Sequence, residues 1–178
     1  VETRLPTDAL IVGCAARFHP HKDHRSLLQA MRLLSERLPS VFLVMCGEGI
    51  DWNNAELTAW IRGLGLESRV RLLGLRQNVQ GFLAALDVLA LSSTAEAFPN
   101  VLGEAMACEV PCVTTDVGDA RQIVGEAGFV VEARNPQALA AALNTFLSLD
   151  LARRHALGQA ARQRIAEHFD LRTMVQQY

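Results

Sequence analysis

Four side chains pose the chemical question. Glu96 and Glu104 lie in "TAEAFPNVLGEAMA" with seven residues between them, and Arg17 and Lys22 lie five apart in "ARFHPHKDH". A carboxylate accepts from two neighbouring hydroxyls, which is what holding a ribose diol requires. A planar guanidinium and an ammonium together suit a pyrophosphate, the first as a fork and the second as a point charge. Plainer readings stand beside these. Cations in loops are mostly just solvated, and acids collect at helix starts because the dipole favours them there. Spacing alone leaves both open.

Between the two glutamates, Phe98, Pro99, Asn100 and Val101 mark a helix start, since proline is favoured in a first turn and asparagine is a good cap. The N–H groups of residues 98 to 101 then face outward as an anion site. At 1.5 Å per residue Glu104 lies about 6 Å along that helix, abreast of a ribose whose phosphate sits at its start. Glu96 precedes the helix, on the side of the group beyond the phosphates.

The elements that must position these groups follow from an alternation of apolar runs and amphipathic segments. Ala9–Ala16, Val41–Gly47, Val70–Gly74, Asp87–Ser93, Pro111–Asp116 and Phe129–Ala133 read as strands, apolar enough to be covered on both faces. Helical patterns occupy Asp23–Leu38, Asn54–Leu64, Asn78–Leu86, Asn100–Cys108 and Pro136–Leu149, with a helical tail over Leu151–Gln177. The expectation is an α/β chain: a Rossmann-like, doubly wound sheet of about six parallel strands flanked by helices. Ligands of such sheets bind beyond the carboxyl ends of the strands. Arg17 and Lys22 follow the first strand, and Gly47 follows the second in "CGEG", where a small residue lets a ligand approach the backbone. The first strand's loop lacks G-x-G-x-x-G, which argues against a dehydrogenase. His19, His21 and His24 crowd that loop beside Asp23, but without a second cluster they read as loop histidines rather than as a zinc site.

Composition bounds the rest. The 178 residues, half of them hydrophobic, suit one core. The 17 basic and 19 acidic residues are well mixed and give a net charge of -2, so nucleic acid is not the expected partner. Cys14, Cys46, Cys108 and Cys112 sit mostly in apolar runs without zinc-site spacing and read as reduced thiols, which favours the cytosol. No apolar run approaches the roughly 20 residues of a membrane span. The opening "VETRLPTDAL" has no methionine and reads as a linker, so residues 1–178 are expected to be one domain of a longer protein.

Taken together, the chain resembles the donor-binding, C-terminal half of a retaining, family 4 (group 1) glycosyltransferase of GT-B architecture. The likeness runs through "RFHPHKDHRSLLQAM", "RVRLLG", "DVLALSSTAEAFPNVLGEAMACEVPCVTTDVGD" and "GFVVEARNPQALAAAL". The resemblance implies that Arg17 and Lys22 neutralise the donor diphosphate and that Glu104 binds the ribose. It places Glu96 near the donor sugar, Phe98 to Val101 at the sugar and distal phosphate through their amides, and Leu75 and Arg76 at the base. Implied too is transfer from a UDP- or GDP-sugar to a glycan or lipid-linked acceptor, without a metal ion. Retention is described in this family as front-face attack, so Glu96 is assigned positioning rather than nucleophilic work. The acceptor domain is expected upstream, with any peripheral membrane contact assigned to it and a location in the cytoplasm or at the membrane's inner face. Phe169, Met174 and Tyr178 of the tail are expected to show an apolar face toward that missing half. Where the family has glycines, Ala97, Glu109 and Val110 stand here, and Asp119 and Gln122 replace a double glycine and a glutamate. A non-catalytic nucleotide-binding module and a sugar-nucleotide epimerase remain as alternatives.

Overall fold

The six apolar runs form one all-parallel sheet in the computed structural model, which describes residues 5–169. The strands are β1 (Leu10–Ala15), β2 (Val41–Cys46), β3 (Val70–Leu72), β4 (Val88–Leu91), β5 (Cys112–Thr115) and β6 (Phe129–Val131). Their order is β3-β2-β1-β4-β5-β6. The chain builds outward from β1 to β3, then crosses back to β4, so successive connections diverge between β1 and β4. That switch point opens a crevice above the strand ends.

Every residue of β2, β4 and β5 is buried, which explains the continuous apolar runs of β2 and β4. Alternate residues of β4 enter different cores. Val88 and Ala90 pack with Leu27, Met31 and Phe146 on one face, while Leu89 and Leu91 pack with Leu102, Met106 and Ile123 on the other. The first face is covered by α1 (His24–Arg37), α2 (Ala55–Gly63) and α6 (Pro136–Leu147). The second is covered by α3 (Val79–Leu83), α4 (Asn100–Ala107), α5 (Ala120–Val124) and α7 (Leu151–His168).

Five helices start at an Asp or Asn whose side chain accepts an early N–H: Asp23, Asn54, Asn78, Asn135 and Asp150. The helix between the two glutamates differs. Asn100 is its first residue rather than its cap, and Pro99 holds the cap position, where no side chain bonds the free N–H groups. The helix end is therefore left open to a ligand.

Other boundaries shift as well. The pattern over Asn78–Leu86 yields a helix of only five residues followed by turns, and α5 is a helix that the sequence reading did not find. Five residues are too few to show a 3.6-residue period. Phe169 is half-buried, with its ring 6.2 Å from that of Phe98, so it faces this domain rather than away from it. Met174 and Tyr178 lie outside the described residues.

Candidate functional site

Backbone hydrogen bonds tie the strand-end loops side by side. Ala16 N–H donates to Cys46 O (3.0 Å), Phe18 N–H to Glu48 O (2.7 Å), Gly47 N–H to Gly74 O (3.0 Å) and Thr94 N–H to His21 O (2.7 Å). The loops after β1, β2, β3 and β4 thus form one floor. A cavity of about 540 Å³ opens on it, lined by Arg17, Lys22, Gly47, Leu75, Arg76, Glu96, Phe98, Pro99, Asn100, Val101 and Glu104. Every site residue expected from the sequence meets there. Cys46, Glu48 and Val79 also line it and were not foreseen. A larger cavity, about 760 Å³ and mostly apolar, lies beside α3 and shares only Leu75 and Arg76 with the first. It lacks both glutamates and the Arg17–Lys22 pair, so the smaller one is the candidate site.

Lys22, the only lysine in the sequence, is 22 % exposed and reaches across the crevice to the Oε1 atom of Glu96, which is 13 % exposed. The same oxygen accepts from Ser93 Oγ at 2.6 Å. Lys22 is placed by a 3-10 turn, Pro20–Lys22, which ends at Asp23. Asp23 adopts φ 43°, closing the turn with its N–H to Pro20 O and capping α1 with its carboxylate on Ser26 N–H. Arg17 is held through its carbonyl, which accepts from His24 Nε2 at 3.0 Å.

His24 is not a loop histidine. It is 2 % exposed, stacks 5.8 Å from Phe18, and has Cys14 Sγ 3.9 Å from its Nδ1. Burial lowers its pKa, while the hydrogen bond to Arg17 opposes this. Burial also raises Cys14 to about 12, so that thiol keeps its proton and can donate to Nδ1. Since Arg17 O can only accept, Nε2 carries the imidazole proton. His19 and His21, by contrast, stay at the surface, edge to face at 4.8 Å. Among the described residues no three His, Cys, Asp or Glu side chains converge on a metal position.

The lowered pKa of His24 makes stability depend on pH. Between the folded value and the ordinary 6.5 the unfolded chain binds more protons, so stability is fully present above pH 6.5 and falls as pH drops through the folded value. Denaturant melts at pH 7.5 and 5.5 are expected to show wild type losing stability relative to His24→Phe, with a slope of at most about 1.4 kcal/mol per pH unit.

Two glycines hold the floor. Gly47 has φ 144° and a Cβ there would lie 2.1 Å from Ala16 O, while a Cβ on Gly118 (φ 50°) would lie 2.4 Å from Glu96 O. Gly118 was not singled out from sequence, although it opens the turn that backs the Glu96 loop through Asp119 N–H to Ala97 O (3.0 Å). Beside it Arg121 makes a bidentate pair with Asp116, Nε to Oδ1 and Nη2 to Oδ2, which holds that carboxyl below the usual range. Two residues that stand where the resemblance expects glycine are accommodated in different ways. Ala97 has no positive φ, so a side chain costs nothing there, whereas Glu109 keeps a left-handed φ of 61° and pairs with Arg162 of α7 at 3.1 Å.

Comparison with known proteins agrees with this geometry. The family described as Glycosyl transferases group 1 is matched over residues 1–164. A Campylobacter jejuni N-acetylgalactosamine-N,N'-diacetylbacillosaminyl-diphospho-undecaprenol 4-alpha-N-acetylgalactosaminyltransferase is 36% identical over 141 residues, 78% of this chain and 37% of that one. The Rhizobium meliloti lipopolysaccharide core biosynthesis glycosyltransferase LpsE is 29% identical over 175 residues, 97% of this chain and 49% of its own. A crystal structure of Anabaena HepE in complex with UDP and glucose superposes with a TM-score of 0.85 at 30% identity, covering 96% of this chain and 47% of HepE. This chain spans half or less of the length of these relatives. With an all-parallel sheet, a crevice at its switch point and a family match along nearly its whole length, the chain belongs to the group 1 glycosyl transferases and has the α/β fold of GT-B glycosyltransferases.

Proposed function

We propose that the chain is the donor-binding half of a retaining glycosyltransferase, which moves a sugar from a nucleoside diphosphate sugar to a glycan or lipid-linked acceptor in the cytoplasm. The observation that carries this reading is the single cavity in which Arg17, Lys22, the uncapped start of α4, Glu96 and Glu104 meet. Glu104 is the fifth residue of α4, beyond its first turn, so the dipole alone is a poor reason for an acid there. A diphosphate at the helix start brings the ribose hydroxyls to Glu104, with the base toward Leu75 and Arg76. Support also comes from HepE, whose structures hold UDP, UDP-glucose, or UDP and glucose.

As the bond from sugar to phosphate breaks, negative charge grows on the departing diphosphate. Arg17, Lys22 and the α4 amides, already in place, stabilise that charge without reorganising. This reading assigns the charge to the protein's own groups and gives no metal ion a role. Glu96, engaged by Lys22 and Ser93, positions the sugar rather than attacking it. The acceptor is held by a part of the protein beyond this chain. Among the described residues no helix is long and apolar enough to cross a membrane, and membrane contact is assigned to that other part.

Calorimetry with UDP and GDP tests the reading. At least one nucleotide is expected to bind the folded chain, and binding by neither overturns the proposal. Glu104→Gln keeps the shape but loses acceptor charge, and is expected to weaken UDP about tenfold, a typical loss for one hydrogen-bonded charge. Inorganic pyrophosphate, which has no ribose, is expected to bind both forms alike.

A further inference from the structure

Both members of the ion pair that spans the crevice are held from beneath by one dipeptide. Ser92 and Ser93 follow β4 directly and are buried, 1% and 0% exposed. Ser92 Oγ donates to the carbonyl of Lys22 at 2.8 Å. Ser93 Oγ donates to Glu96 Oε1 at 2.6 Å. The backbone of Ser93 is fixed in turn from the neighbouring strand, where Thr115 Oγ1, itself 3% exposed, donates to Ser93 O at 2.6 Å. A buried hydroxyl costs free energy unless it finds a partner, and a serine after a strand can satisfy itself on nearby backbone. Ser92 instead bonds a residue seventy positions away, on the loop that carries the cation, and Ser93 bonds the acid.

We infer that Ser93 is a positioning residue for sugar transfer, acting through Glu96. Its hydroxyl fixes one carboxylate oxygen of Glu96, so the acid stays aimed into the cavity while Lys22 turns its remaining N–H donors to the donor diphosphate. Thr115 sets the position of that hydroxyl. The inference rests on the proposed roles of Glu96 and Lys22, but its central contact can be read without any ligand.

Because Lys22 is the only lysine, its amine can be followed at one site. The folded chain is treated with an N-hydroxysuccinimide acetate, and acetylation of Lys22 is timed by mass spectrometry of the peptide that contains it. Held against Glu96, the Lys22 side chain is kept from the reagent, whereas a released side chain meets it freely. Ser93→Ala is expected to raise the Lys22 rate several-fold, and Ser93→Thr, which keeps the hydroxyl, is expected to stay near wild type. In a Glu96→Gln background, where the rate is already high, Ser93→Ala is expected to add nothing, because the hydroxyl works through the carboxylate. A merely structural serine would loosen the loop equally in both backgrounds. An unchanged rate in Ser93→Ala, or the same increment with and without the Glu96 carboxylate, overturns the inference. Should Ser93→Ala fail to fold, Ser93→Cys, close in shape and a weaker donor, carries the same cycle. Protection of Lys22 by UDP in the wild-type chain reports separately on the donor reading, so the two can fail independently.

Discussion

Lys22→Ala is expected to weaken UDP binding by about 100-fold and to lower the melting temperature by a few degrees, because Glu96 loses its shielded partner. A hydrogen bond to a charged group contributes about 1.5–3 kcal/mol net, and each 1.4 kcal/mol is tenfold in affinity. Two features push Lys22 to the upper end of that range. It is largely shielded from solvent, which limits screening, and its loss leaves the Glu96 carboxylate facing the incoming diphosphate without a counter-charge. The double variant Lys22→Ala/Glu96→Gln should therefore recover part of the loss. Arg17→Lys, which keeps a charge but not the planar fork, should cost less than Lys22→Ala. Titration calorimetry of the four proteins checks the order, and a Lys22→Ala chain that binds UDP as wild type does removes the lysine from the site.

The second large effect is expected from Gly47→Ala. Backbone at φ 144° is closed to an L side chain, and the new Cβ would meet Ala16 O at 2.1 Å. Strain of this kind costs about 1–3 kcal/mol, and the clash with a backbone carbonyl adds to it. A loss of about 3 kcal/mol lowers the melting temperature of a chain this size by roughly 6–12 °C. Relief requires the loops after β1 and β2 to part, and the first of them carries Arg17, so UDP binding is expected to fall together with stability. Gly63→Ala is the control: nothing beyond its chain neighbours and its own helix backbone lies within 4 Å of its Cβ, it ends α2, and it should be neutral or slightly stabilising. Calorimetric melts of both variants separate a steric effect from a general one.

The sheet was legible because its central strands are buried on both faces. Burial of that kind writes itself as an unbroken run of Val, Leu and Ile, as in β2 and β4. The residues around the cavity were legible for a different reason. In a doubly wound sheet the strand ends are known once the strands are, and charged or small residues there stand out against apolar surroundings. Less could be read where structure depends on neighbours distant in sequence. His24 looked like one of three loop histidines, and only the fold shows that it turns inward between Phe18 and Cys14 to hold Arg17. Ser92, Ser93 and Thr115 read as small polar residues at strand ends. Their partners lie across β1, β4 and β5, and a clue was available only in that Ser92 and Ser93 follow the apolar β4 and Thr115 ends β5. The start of α4 at Pro99 or Asn100 was legible, but which of the two caps it was not, because Asn is the better capping residue by propensity. Tertiary placement of the turn sets Pro99 there instead and leaves the amides unbonded by any side chain.

Asp23 has a consequence for the thermodynamics of recognition. One residue terminates the turn that carries Lys22 and starts the helix behind it, held by its own N–H on one side and its carboxylate on the other. The segment is therefore ordered before any ligand arrives. Ordering a loop on association commonly subtracts about 0.5–1.5 kcal/mol per immobilised side chain from the affinity. Here most of that entropy has already been surrendered in folding, so the donor contacts proposed for Lys22 would translate more fully into binding free energy.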